Sequence, residues 1–232
     1  MSISSPLSKT YRTQEKALKV DASTRADRPR KSGADLNIAR PSFDAPNLQQ
    51  QSQQAKDTKL VDIFAKCLGE QFKTRLCGNA DEPFYQAASS DDDWHIIYYR
   101  YDYAASALHE LAHWCIAGTE RRNQDDYGYW YLPDGRNVAQ QLEFQQVEVK
   151  PQAIEMAFSK ACSMPFRVSI DNLGLNGPES DGIKAQNEAA FTESVNKQYQ
   201  HFCEFGFPPR AQILIEAFKH AFSAQSRKQS VT

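Results

Sequence analysis

An α+β fold is what this sequence predicts: one domain with a small mixed sheet packed by helices, and a histidine-bearing helix at its centre. Three observations lead there. Apolar residues recur at helical spacing through residues 60–68, 104–115, 144–162, 183–205 and 211–222. Between them lie only short runs of aromatic and β-branched residues, chiefly Trp94–Tyr103. The two kinds of segment intermingle without the regular alternation of a doubly wound sheet, and no internal repeat is evident.

Charge divides the chain. Residues 1–57 hold ten of the 27 Lys/Arg and six of the 29 Asp/Glu, a net +4, which leaves the remainder at −6. The first segment is also rich in Ser and Gln and poor in large apolar groups, so burial cannot offset its ordering entropy. Residues 1–57 are therefore expected to be a disordered basic tail, 58–225 the folded domain and 226–232 a C-terminal tail. Arg25, Arg28, Arg30 and Lys31 give the tail at most a weak tether to an anionic surface, and no direct nucleic-acid contact is expected. The five cysteines are odd in number and lack CxxC or disulfide-framework spacing. No apolar run reaches the roughly 18 residues of a membrane span and no signal peptide is seen, so a cytoplasmic location is expected.

In chain order, Leu60, Ile63, Phe64, Cys67 and Leu68 form the stripe of an amphipathic helix, with Gly69 inside it and Gly78 as its stop. Pro83 and Ser89–Asp93 mark loops. Trp94–Tyr103 follows as a strand. Ala104, Leu108, Leu111, Ala112 and Cys115 line one face of the next helix, capped by Gly118. Tyr127–Tyr131 reads as a short strand closed by the turn Pro133-Asp134-Gly135. Phe144, Val147, Pro151, Ile154, Phe158 and Cys162 mark a helical stripe, in which Pro151 either kinks one long helix or opens a new one. Phe166–Ile170 predicts a strand, and Ile183–Phe205 and Ala211–Phe222 predict helices parted at Pro208-Pro209.

The chemistry lies in His109-Glu110-Leu111-Ala112-His113. Residues four apart share a helix face, so both imidazoles can reach one metal ion, with Glu110 placed as the catalytic acid or base. The extended three-histidine pattern is excluded, because Ile116 and Thr119 stand where its glycine and third histidine would fall. A carboxylate from a second helix is then the third ligand. Glu148 is the leading candidate, with Glu155 and Glu143 as substitutes. Such a set serves two chemistries: with zinc, hydrolysis, and with iron(II), oxygenation. Cys115 reads as a buried thiol, and His95, His201 and His220 as ordinary surface or core histidines.

The block Ala107–Gly118 matches more than the two histidines. With Tyr127–Tyr131 and Pro133–Arg136, with Val147–Ala153, and with Pro165-Phe166, Val168-Ser169 and Asp171–Leu173, it resembles the bacterial elongation factor P hydroxylase family. The likeness runs from about Leu60 to Phe222 and is strongest between residues 107 and 173. It implies hydroxylation of the modified lysine of translation elongation factor P, after a β-lysyl group has been attached. It also implies a non-haem metal, iron(II), on His109, His113 and Glu148, with dioxygen as cosubstrate. The electron donor is left unassigned, since no flavin, nicotinamide or iron–sulfur signature is present. For a long cationic substrate, Asp125, Asp126 and Asp134 are candidates for an acidic mouth, and Tyr129 and Trp130 for an aromatic wall. Asp171 and Asn172 read as a turn or as partners of a ligating imidazole. The rival enzyme is a zinc metallopeptidase with a His-His-Glu site, although Gln152 stands where that group places an aspartate. A binding module that keeps the fold without the chemistry is the third reading.

Overall fold

The computed structural model describes residues 48–101, 103–128, 138–170 and 180–229. The first helix, α1, spans Leu48–Phe64 and continues as a π-helical stretch, Ala65–Gly69. The predicted stripe is its buried face, with Leu60, Phe64 and Leu68 almost wholly covered. Gly78 does not end this helix. It lies in strand β1, Thr74–Ala80, where a Cβ would come within 2.8 Å of the Tyr99 hydroxyl and 2.9 Å of the Tyr101 carbonyl oxygen. Glycine there permits close approach between strands rather than a helix stop.

Strands β2 (Phe84–Gln86) and β3 (His95–Arg100) complete a mixed sheet of order β1-β3-β2. β1 runs parallel to β3 and β2 antiparallel to it. Ile97 pairs with Leu76 on one side and Tyr85 on the other, and all three are buried, so this row is the inner face of the sheet.

Helix α2, Ala104–Ile116, carries the two histidines and packs against β3, α1 and two later helices, Val138–Ala161 and Pro209–Gln229. Ala104, Ala107, Leu108, Leu111, Ala112 and Trp114 are all at zero exposure. Each large side chain so covered contributes about 1.5–3 kcal/mol, which holds the helix centrally without a side-chain N-cap. At its other end Gly118 is not the expected cap; it is extended, with φ −65° and ψ 168°. The orphan carbonyls are met instead by two arginines. Arg210 Nη2 donates to the oxygens of Trp114, Cys115 and Ala117 at 2.9, 3.0 and 2.6 Å, and Arg122 Nη1 donates to that of Ala117 at 2.7 Å. Their charge also suits the negative end of the helix dipole.

A short helix α3, Thr119–Arg122, leads into a 3₁₀ turn at Asp125–Gly128, where a strand was expected to begin. The reason is a contact with the sheet, some forty residues back along the chain. Asp125 and Asp126 accept hydrogen bonds from the backbone N–H groups of Ala87 and Tyr85 at 2.9 and 3.0 Å, so carboxylates occupy those β2 groups. Residues 129–131 of the expected strand and the turn at 133–135 lie outside the described residues.

Helix α4, Val138–Ala161, runs unbroken through Pro151. It is followed by α5, Ser180–Phe205, and α6, Pro209–Gln229. Phe158 meets Phe218 edge-on at 5.4 Å, joining α4 to α6. Phe166–Ile170, expected as a strand, joins no sheet among the described residues. Its backbone is paired with α4 side chains: Gln152 donates to Ser169 O at 2.7 Å and accepts from Ser169 N at 3.0 Å, while Gln141 donates to Ile170 O at 2.9 Å. Among the described residues no helix is long and apolar enough to cross a membrane.

Candidate metal centre

The alanine- and leucine-rich sequence of α2 favours a helix, and the helix sets the first two donors. His109 and His113 face one another at a ring separation of 4.7 Å, with their Nε2 atoms 3.1 Å apart. Both are partly buried, at 28% and 17% side-chain exposure. Across from them α4 presents Glu148, which is 3% exposed. Its Oε1 lies 3.2 Å from His113 Nε2 and its Oε2 3.7 Å from His109 Nε2. The donor atoms of all three residues fall within 4.8 Å of one another.

Those spacings suit a metal ion. Donors at ~2.1 Å from a common centre are about 3.0 Å apart at a right angle and about 3.4 Å apart at the tetrahedral angle. The donor types agree as well: two imidazoles and a carboxylate form a set used by both zinc and iron, and three protein ligands leave part of the shell open.

Two α4 residues support the set. Gln152 Nε2 donates to Glu148 Oε2 at 3.4 Å while its amide holds Ser169. Glu155 accepts from His109 Nδ1 at 2.8 Å, on the side of the ring opposite the three converging donors. Glu148, Gln152 and Glu155 are spaced i, i+4, i+7, so one face of α4 supplies all three. That spacing is legible in the sequence. The division of labour is not, and Glu155 is an imidazole partner rather than a substitute for Glu148.

Charge coupling among these side chains is strong. Burial alone would lower His109, but its Glu155 hydrogen bond and the charges of Glu155, Glu148 and Glu110 outweigh it and push it up to about 10. For Glu148 burial works upward, yet His113 and His109, with the Gln152 amide, hold it down at about 2. Glu110 is raised, chiefly by burial, with the nearby Glu148 and Asp126 charges adding to that. Beside it Tyr127 is raised well above its usual range by burial and the Glu110 charge.

The other expected residues scatter. Glu143 is exposed on α4 and forms no part of the cluster. Asp125 and Asp126 bind the β2 backbone rather than forming a free acidic rim. Cys115 is buried, as read. His95 accepts from Ala88 N at 2.9 Å and stacks on Tyr85, while His201 packs against Phe205; neither joins the centre. Tyr129, Trp130, Asp134, Asp171 and Asn172 lie outside the described residues. Tyr127 was missed as a feature. It has φ 57°, its ring stacks on Tyr85 at 4.2 Å, and its buried hydroxyl has no hydrogen-bond partner among the described residues.

A two-histidine, one-carboxylate cluster between the central helix α2 and α4 of an α+β domain defines a candidate metal-binding enzyme fold. Comparison narrows the class. The family model for elongation factor P hydroxylase matches residues 63–231. The chain is also 39% identical over 166 residues, 72% of its own length and 89% of the relative's, to the elongation factor P lysine hydroxylase of Haemophilus influenzae. This chain therefore belongs to the elongation factor P hydroxylase family.

Proposed function

We propose that this protein hydroxylates the β-lysylated lysine side chain of translation elongation factor P in the cytoplasm. In this reading iron(II), held by His109, His113 and Glu148, is the metal, and dioxygen is the cosubstrate. Family membership supports the reaction, and the observation that carries the site is the convergence of the three donors on one point. When bound, the metal supplies oxygen activation beside a C–H bond. The net reaction would place one oxygen atom of dioxygen in that bond and release the other as water, with two protons and two electrons drawn from a separate two-electron donor.

The chain's own residues supply positioning and proton handling. Glu148, buried and anionic, offers the negative charge that binds the cation, and Gln152 restrains its carboxylate. Glu110, set between the two histidines on α2, is the group that would handle protons as catalytic acid or base. The partial exposure of His109 and His113 leaves the centre within reach of a long side chain, and much of the rate would come from holding it in place. The net negative charge after residue 57 favours a cationic substrate. The same donor set would also serve a zinc peptidase, and family membership is what favours the hydroxylase reading.

The test is the mass of elongation factor P from cells with this protein, without it, or with His109→Ala. A gain of one oxygen atom is expected with the intact protein alone. An unchanged mass in all three would reject the reaction, and a gain that survives His109→Ala would reject the ligand assignment.

A further inference from the structure

The Glu155–His109 contact points to a role that the ligand set alone does not contain. Resting on the metal-centre reading above, we propose that Glu155 is a positioning residue, which fixes the His109 ring so that Nε2, and not Nδ1, is offered to the metal. An imidazole can bind through either nitrogen, and which one is free is set by the hydrogen bond the other makes. Here Glu155 Oε2 accepts from His109 Nδ1 at 2.8 Å, while the opposite nitrogen lies 3.1 Å from His113 Nε2 and 3.7 Å from Glu148 Oε2. The carboxylate therefore grips the back of the ring while the front joins the cluster. Glu155 is itself largely buried, with 13% side-chain exposure, so solvent competes weakly for this bond.

The arrangement also explains how one helix sets two of the three donors. Glu148 and Glu155 lie seven residues apart on α4, two turns along one face. The first is itself a donor, and the second sets the direction of a donor on α2. The fold transmits this because α4 packs directly against α2. A purely structural ion pair would need no such alignment of Nε2 with the other two donors.

The experiment is metal binding without elongation factor P, so it does not depend on the hydroxylation reading. Chelator-stripped full-length protein is titrated with Zn(II) and, separately, with Co(II), recording affinity, the visible Co(II) spectrum and the melting temperature of the metal-free form. Loss of an outer partner to a ligating histidine typically costs 10–100-fold in affinity, and Glu155→Ala is expected to show a loss of that order with an altered Co(II) spectrum. Glu155→Gln keeps an oxygen acceptor and is expected to stay within a few-fold of the parent, with the parent spectrum. The melting temperature of the glutamine variant shows that the fold is retained. Glu155→Ala binding both metals with parental affinity and spectrum would overturn the proposal, as would Glu155→Gln failing as completely as the alanine variant. His113→Ala is the separate control: if it still binds metal like the parent, the centre itself is misassigned.

Discussion

Glu148→Gln changes one atom of the candidate centre and removes one charge. The glutamate is 3% exposed and lies 3.2 Å from His113 Nε2 and 3.7 Å from His109 Nε2. Its amide analogue fills the same volume, so packing is conserved and the electrostatic term is isolated. Removing one partner of a buried ionic pair costs roughly 3–5 kcal/mol, or about two to four decades at 1.4 kcal/mol per decade. A direct ligand should lie at or above that range, since outer-sphere losses reach only about 100-fold. The assay is competition for Zn(II) against a chromophoric chelator, with Glu143→Gln as the control. Glu143 lies on the same helix but is exposed and outside the cluster, so its variant should match the parent. Zinc affinity within threefold of the parent for Glu148→Gln would refute the carboxylate's place in the centre.

Other outcomes follow from the same geometry. His109 in the metal-free protein is pushed up to about 10, so below that pH a metal must expel its proton; Glu148, held at about 2, has none to give. Zinc affinity should therefore rise about tenfold per pH unit from this group between pH 6.5 and 8.5, measured by calorimetry in paired buffers, and a flat profile would contradict the coupling. By linkage, the raised His109 stabilises the metal-free fold fully below 6.5 and loses that contribution as pH climbs through about 10, so its melting temperature should fall across that interval. Arg210→Met strips the guanidinium from three carbonyls at the end of α2. A loss of about 2–4 kcal/mol in urea unfolding is expected, and one under ~1 kcal/mol would mean that Arg122 suffices. Tyr127→Phe removes a buried hydroxyl that lacks a hydrogen-bond partner among the described residues but keeps the ring on Tyr85. Stability should hold or rise by about 1 kcal/mol; a clear fall in thermal unfolding would show that the hydroxyl is satisfied in the folded protein.

Local pattern alone determined much of this protein. The stripes at Leu60–Leu68 and Ala104–Cys115 specify helices because a 3.6-residue period leaves one face to bury, and the four-residue gap between His109 and His113 aligns two ring donors. Glu148 stood out as an acidic group beside a second apolar stripe. Tertiary structure decided what depends on partners distant in sequence. β1 and β2 exist because β3 pairs with both, although Thr74–Ala80 and Phe84–Gln86 carry little strand pattern of their own. Phe166–Ile170 has strand composition yet is bound by glutamine amides of α4, and the carbonyls expected to meet a glycine cap meet Arg210, nearly a hundred residues along the chain. Asp125 and Asp126 had the look of a solvent-facing acidic rim until the sheet edge claimed them. Composition and spacing report which groups a segment can offer. Only packing selects which offers are accepted, because a hydrogen bond or a ligand set forms where the whole fold brings its members within about 3 Å.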